Sequence, residues 1–475
     1  MKHYGKFYID GEWVDSTGTR QFEVVNPANE TPFATISLGT EKDVDRAVAA
    51  ARRAFPAFSA TTKAERIALL ERIIAEYTKR QPDLAAIVTE EMGSPKSVTT
   101  QITGPADQFK QAIATLKTYE FEKRIDGNLV RREPIGVCGL ISPWNWPVQT
   151  PCTKLAAALA AGCTVILKPS EYSSVAMVTL AEILHAAGVP KGVFNLVFGD
   201  GPVVGNAISK HPDIDFVSFT GSTRAGILVA EAAAPTVKRV AQELGGKSAN
   251  IVLPDADLAA AARWNIGRAF FNAGQSCHAP SRMLVHETQT EQVLNYLVEE
   301  AKKVRVGDPS DAATTMGPLV NKNQFERVQK YIQIGIDEGA RVAIGGTGRP
   351  EGFNRGYYIR PTVFADVTPN MRIAQEEIFG PVLSVIPYRD ESEAVAIANA
   401  TPYGLGGYLF TSSPEKARKV GTQMRAGRVF LNGANSNTAA PMGGYKQSGN
   451  GREMGVFGLE EYLEVKAMIG FEDAA

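Results

Sequence analysis

The sequence predicts an α/β protein with two open, mostly parallel sheets in separate domains and a small β arm that joins subunits. Three observations predict this. From about residue 135, short apolar segments alternate with helix-patterned ones, as in βαβ units. A second alternating series runs from Asp257 to about Gly433, and the change-over between two domains is read near Gly245-Gly246. The 475 residues also exceed what one hydrophobic core usually serves.

The elements follow in order. Phe7 to Val14 reads as a hairpin turning at Asp10-Gly11, a pair suited to a tight primed turn. In Lys63–Lys79 the residues Ile67, Leu70, Ile74 and Tyr77 fall at helical spacing with charge opposite. First-sheet strands are expected at Val137–Ser142, Thr164–Lys168, Val193–Phe198 and Phe216–Thr220, with helices at Lys154–Ala161 and Val175–Ala187. Ala249–Leu253 is the last strand of that series, and the second series holds strands at Arg282–His286, Arg341–Ile344, Pro381–Tyr388 and Arg428–Asn432. Glu120–Glu133 reads as a charged hairpin around Asp126-Gly127, marginal alone in water. The tail Leu463–Phe471 alternates Leu463, Val465, Ala467, Ile469 and Phe471 like a strand. Hairpin and tail together are expected to form an arm whose sheet is completed by another subunit. The domain boundaries implied are 1–118 with 134–245, then 246–445, and an arm of 119–133 with 446–475.

Composition narrows the function. The net charge of -1 gives no electrostatic reason to expect nucleic acid or an acidic membrane surface as partner. Met1-Lys2-His3-Tyr4 lacks the apolar core of a signal peptide, and no stretch is apolar enough to span a bilayer, so a cytoplasmic protein is expected. Four cysteines without a CxxC pair, and five scattered histidines, make neither a disulfide scaffold nor a metal site. Cys138, Cys152 and Cys163 read as small buried hydrophobes.

The fourth cysteine differs. In Phe271-Asn272-Ala273-Gly274-Gln275-Ser276-Cys277-His278 the small residues let backbone approach a ligand beside a thiol, which can attack a carbonyl carbon. Gln242-Glu243-Leu244-Gly245-Gly246 sets a carboxylate at a strand end, where burial would raise its pKa toward that of a general base. Pro143-Trp144-Asn145-Trp146-Pro147 presents an amide that can stabilise an oxyanion. Each alone reads as well as a plain loop.

These blocks, in this order, resemble the aldehyde dehydrogenase superfamily over essentially the whole chain. Lys168-Pro169-Ser170-Glu171, Phe219-Thr220-Gly221-Ser222-Thr223, Glu376-Glu377-Ile378-Phe379-Gly380-Pro381 and Gly443-Gly444-Tyr445-Lys446-Gln447-Ser448-Gly449 complete the series. The resemblance implies two Rossmann-like domains, one for cofactor and one for catalysis, and a homo-oligomer, dimeric or tetrameric. It implies that Cys277 attacks an aldehyde, that Asn145 and the Cys277 N–H hold the oxyanion, and that Glu243 activates water to release a carboxylic acid. NAD is the cofactor implied, preferred over NADP because the Glu171 carboxylate would repel a 2′-phosphate. Its binding residues would be Trp144, Lys168, Ser170, Glu171, Gly201, Gly205, Phe219, Gly221, Ser222, Leu244, Glu377 and Phe379, with the pyrophosphate at the helix N-terminus after Gly221.

Around the substrate the resemblance places Trp146, Cys152, Thr153, Ser276, His278 and Met442. No arginine stands among them to clamp a second carboxylate. A medium-sized aldehyde with an apolar or aromatic body is therefore expected rather than a small charged semialdehyde. Adjacent side chains should point apart, so a Cys277–His278 dyad of a cysteine hydrolase is not expected. Glu243 also argues against the rival enzyme reading, a coenzyme A-acylating semialdehyde dehydrogenase, whose members lack it. Cys277, Glu243 and Asn145 together argue against an idle structural protein on the same fold.

Overall fold

The computed structural model describes residues 1–471 of the chain. An eight-stranded sheet runs in the spatial order Gly449–Asn450, Arg239–Glu243, Phe216–Thr220, Val137–Ile141, Thr164–Lys168, Phe194–Leu196, Lys6–Ile9 and Glu12–Asp15. Its middle five strands are parallel, and antiparallel strands close both edges. The strands Val137–Ile141 and Thr164–Lys168 are buried along their whole length, as expected where helices cover both faces of a parallel sheet.

The second sheet has seven strands, ordered Arg341–Ile344, Thr362–Ala365, Val382–Tyr388, Arg282–His286, Ala249–Val252, Gly406–Phe410 and Arg428–Leu431. All its pairings are parallel except that of the edge strand Arg341–Ile344. Each sheet has its own hydrophobic core. The chain passes from one to the other between Glu243 and Ala249, at the predicted glycine pair, and returns to the first with Gly449–Asn450.

Helix ends follow local chemistry. The helix Lys63–Met92 starts on a reciprocal capping box between Thr62 and Glu65 and stops at Gly93, which takes a left-handed φ of 72°. It continues past the predicted end at Lys79, carrying Pro82 inside it. The helix Leu258–Ala269, between the strands Ala249–Val252 and Arg282–His286, is capped by the Asp257 side chain.

The hairpin Glu122–Ile125/Asn128–Pro134 forms as expected, but its third strand is this chain's own tail. Leu463–Met468 pairs antiparallel with Asn128–Pro134, from Leu463 opposite Pro134 to Met468 opposite Leu129. Hairpin and tail thus make one three-stranded sheet within the chain. The residues 472–475 of the expected arm lie outside the described ones. What the sheet leaves uncovered is its surface: Ile125, Val465 and Ile469 are all more than half exposed.

Candidate active site

Both sheets have a point where strand order reverses, and one cavity of about 610 Å³ lies between them. In the first sheet the reversal falls between Val137–Ile141 and Phe216–Thr220, and Pro143 to Asn145, Thr220 to Ser222 and Glu243 line the cavity from the carboxyl ends of its strands. That is where open α/β sheets usually hold ligands. The second sheet faces the same cavity with its amino ends: Ser276 to Pro280 precede Arg282–His286, and Gly406 and Arg428 open their strands.

The nucleophile loop is set by backbone. Asn272, Ala273 and Gly274 are successive left-handed residues, with φ of 55°, 53° and 70°. For the first two this costs on the order of 1–3 kcal/mol each unless surroundings hold it. Buried amides hold it. Asn272 Nδ2 donates to the carbonyls of Asn145 (3.0 Å) and Gln275 (3.2 Å). Gln275 Nε2 donates to Asn272 O, and its Oε1 accepts from Val320 N–H. Gln101 Nε2 donates to Asn145 O and Asn272 Oδ1. Gly274 has no room for a Cβ, which would strike the backbone of Gly380 and Pro381, and a Cβ on Gly246 would strike the Cys277 carbonyl.

Cys277, Glu243 and Asn145 all line the cavity. The Cys277 thiol is pushed well up, first by burial and then by the nearby carboxyls of Glu243 and Glu377. Both carboxyl oxygens of Glu243 are buried without a hydrogen-bond partner. Burial, then the Glu453 carboxylate, raises its pKa well above the usual range, with Lys154 opposing. Lys154 Nζ is held at 2.6 Å from Glu453 and 2.8 Å from Ser218 Oγ. Asn145 Nδ2 donates to Gln275 O at 3.0 Å, and an amide nitrogen has two hydrogens, so one remains for the cavity.

On the first-sheet side the residues fit a dinucleotide. Thr220 Oγ1 is buried without a partner beside Gly221 and Ser222, which open the helix Thr223–Ala233. Leu244, Glu377, Phe379 and Trp144 line the same part, Trp144 edge-on to Phe379 at 5.4 Å. Glu377 Oε1 accepts from Gly246 N–H at 2.9 Å, and burial pushes its carboxyl up to about 7. Lys168, Ser170, Glu171, Gly201 and Gly205 lie apart from this cavity. Lys168 and Glu171 pair at 3.6 Å, and a Cβ on Gly201 would meet open space. Phe219 is a core residue packed under Gly221, not a cavity wall.

On the other side, Trp146 stacks on Phe271 at 5.9 Å, and Thr153, Ser276, His278 and Met442 line the wall. Met442 is bridged to Glu453 by two backbone hydrogen bonds. Cys152 does not line it: its helix turns the thiol into the core, and burial pushes that thiol up. The expectation that Cys277 and His278 point apart is also corrected, because Sγ and Nδ1 lie 3.8 Å apart. That is long for a hydrogen bond, and burial, then Arg268, lowers the imidazole to about 4, so it is uncharged near neutrality.

Sequence reasoning missed Gln324 and Arg327, which hold the Glu377–Phe379 loop by its carbonyls. It also missed Trp264, Arg268, Tyr408, Arg428 and Phe430 on the cavity wall. Trp264, Arg268 and Phe271 follow at i, i+4 and i+7, a one-face pattern that could have revealed part of this wall.

The aldehyde dehydrogenase family profile matches residues 13–468. This chain belongs to the aldehyde dehydrogenase family. It is 52% identical over 475 residues to a 3-succinoylsemialdehyde-pyridine dehydrogenase from a Pseudomonas species, covering 99% of this chain and 100% of that one. Aldehyde dehydrogenase C of Pseudomonas syringae, solved as a mutant with NAD+ and octanal, superposes with a TM-score of 0.98 at 51% identity, covering 99% of this chain and 97% of that one. Betaine aldehyde dehydrogenase of Staphylococcus aureus, solved with NAD+, gives a TM-score of 0.95 at 36% identity over 98% and 94% of the two chains. This aldehyde dehydrogenase oxidises aldehydes with NAD.

Proposed function

We propose that this aldehyde dehydrogenase releases a free carboxylic acid, with Cys277 as nucleophile, Asn145 as oxyanion donor and Glu243 as general base. The observation that carries it is the Glu243 carboxyl, buried without any partner in the cavity that Cys277 and Asn145 share. An unpaired buried carboxyl is costly, and a raised pKa suits proton abstraction from water.

Cys277 Sγ adds to the aldehyde carbon as its proton passes to solvent, and the carbonyl π pair becomes an alkoxide oxygen. The free Asn145 N–H and the Cys277 N–H would receive that charge. NAD supplies the acceptor for the hydride that leaves this carbon, so the carbonyl reforms as a thioester on Cys277. Glu243 then takes a proton from water, whose oxygen attacks the thioester and expels the Cys277 thiolate. The thiolate takes up a proton, and the acid leaves.

The substrate body is apolar or aromatic, supported by walls of Trp146, Phe271, Tyr408 and Phe430. NAD is favoured over NADP by Glu171. The exposed apolar faces of the tail sheet, with Ile227 and Leu228 on Thr223–Ala233, support a homo-oligomer. The test of the catalytic reading is Glu243→Gln. It gives a burst of NADH about equal to the number of active sites, then stalls. Loss of the burst itself would assign Glu243 an earlier step.

A further inference from the structure

Two arginines line the substrate side of the cavity, and they differ in what they hold. Arg428 has spent its donors on its own loop: Nε on Pro441 O at 2.6 Å, Nη1 on Ser436 Oγ at 2.9 Å, and Nη2 on the carbonyls of Asn437 and Ala440. It shapes the wall and has little left for a ligand.

Arg268 makes no hydrogen bond and no ion pair among the described residues. Its guanidinium lies over the face of Trp264, 5.9 Å from the ring centroid. It is half-buried and lines the cavity with Trp264, Tyr408 and Phe430. Trp264 packs on Tyr408 at 5.0 Å, and Tyr408 stacks on Phe430 at 5.1 Å, so the arginine rests on a fixed aromatic wall. Asp107, the acid lining the cavity from the helix Thr100–Thr118, is paired instead with Lys110 at 2.9 Å. Glu453 is held by Lys154.

A guanidinium cannot shed its charge and carries five N–H donors in one plane. Lying over an indole, it keeps those donors for an acceptor that arrives in that plane, and a carboxylate matches two of them at once. We propose that Arg268 is the specificity-determining residue of the substrate tunnel, and that it receives a carboxylate at the far end of a medium-length aldehyde whose apolar body lies on the aromatic walls. The reaction would then yield a dicarboxylate. This rests on the reading of the cavity as the aldehyde tunnel leading to Cys277. It differs from recognition of a small charged semialdehyde, because the body and the carboxylate are bound by separate surfaces.

The experiment compares kcat/KM for 8-oxooctanoate and octanal in wild type, Arg268→Met and Arg268→Lys. The ratio of the two falls at least tenfold in Arg268→Met and by less in Arg268→Lys. An unchanged ratio overturns the proposal. If Arg268→Met does not fold, the wild type decides it by product inhibition: octanedioate binds at least fivefold more tightly than octanoate, and equal inhibition overturns the proposal. A wild type that forms no NADH from octanal strikes the tunnel reading itself; normal octanal turnover with an unchanged ratio strikes only Arg268.

Discussion

The two sheets are built alike and used oppositely. The eight-stranded sheet offers the cavity the carboxyl ends of its strands, with Asn145 just beyond one, Glu243 ending another and the Gly221 turn after a third. The seven-stranded sheet offers its amino ends, and Cys277, His278 and Arg428 sit at or before the points where strands begin. At carboxyl ends, crevices and helix N-termini come with the topology. At amino ends nothing comes ready-made, and the thiol depends on a left-handed turn secured by buried amides. The lesson is that the cofactor side is a property of the fold, whereas the nucleophile side is a property of particular residues.

The largest effect that bears on this comparison is Cys277→Ala. It lowers aldehyde oxidation more than a hundredfold while NAD binding, read by fluorescence titration, stays within about threefold. A coupled loss of cofactor binding would show that the two sides are not independent. Asn272→Ala comes next. It removes three buried hydrogen bonds and leaves alanine in the left-handed region, so a loss of roughly 2–4 kcal/mol in denaturant unfolding is expected, with a fall in kcat. Unchanged stability would mean that the turn holds itself.

How far the sequence revealed each side follows the same divide. First-sheet strands read from apolar runs because they are buried on both faces, and Thr164–Lys168 and Phe216–Thr220 form with the expected bounds. The interior second-sheet strand Gly406–Phe410 escaped because it opens with two glycines, residues that strands usually avoid. They are there because a Cβ on Gly407 would meet Met424 at 2.8 Å, and one on Gly406 would meet Ser248 Oγ at 3.1 Å. Thr362–Ala365 is four residues long, too short for an alternation to show. Cys277, Glu243 and Asn145 were legible through their motifs. Tyr408 and Phe430 were not, since an aromatic residue in a strand reads equally as core.

On the substrate side, octanal and benzaldehyde should exceed succinic semialdehyde and betaine aldehyde at least tenfold in kcat/KM. Four more methylenes than a four-carbon chain are worth up to about 3 kcal/mol of burial against the aromatic walls. A tenfold preference for either charged compound would break the apolar reading and leave the enzyme class intact. On the cofactor side, NAD should exceed NADP several-fold or more, and Glu171→Gln should narrow the ratio. Equal kcat/KM in the wild type would show that Glu171 does not discriminate.

The smallest effect concerns His278. With its imidazole lowered to about 4 it carries no charge across the working range, so His278→Gln should change kcat less than about threefold between pH 6 and 9. The acid limb of steady-state activity should belong to Glu243. Its pKa is raised, so it is protonated and inactive as a base at low pH, and activity climbs as pH rises through that value. Loss of this limb in His278→Gln would reinstate a cysteine–histidine pair.

The raised thiol pKa at Cys277 also governs how the protein ages. Peroxides and alkylating agents react with thiolates, and the first step of thiol oxidation follows thiolate content. A nucleophile kept protonated by its own surroundings is stored in capped form, and its half-life in aerated buffer should outlast that of an exposed cysteine. Burial, and after it the carboxyls of Glu243 and Glu377, should thus slow the loss of the resting thiol between turnovers.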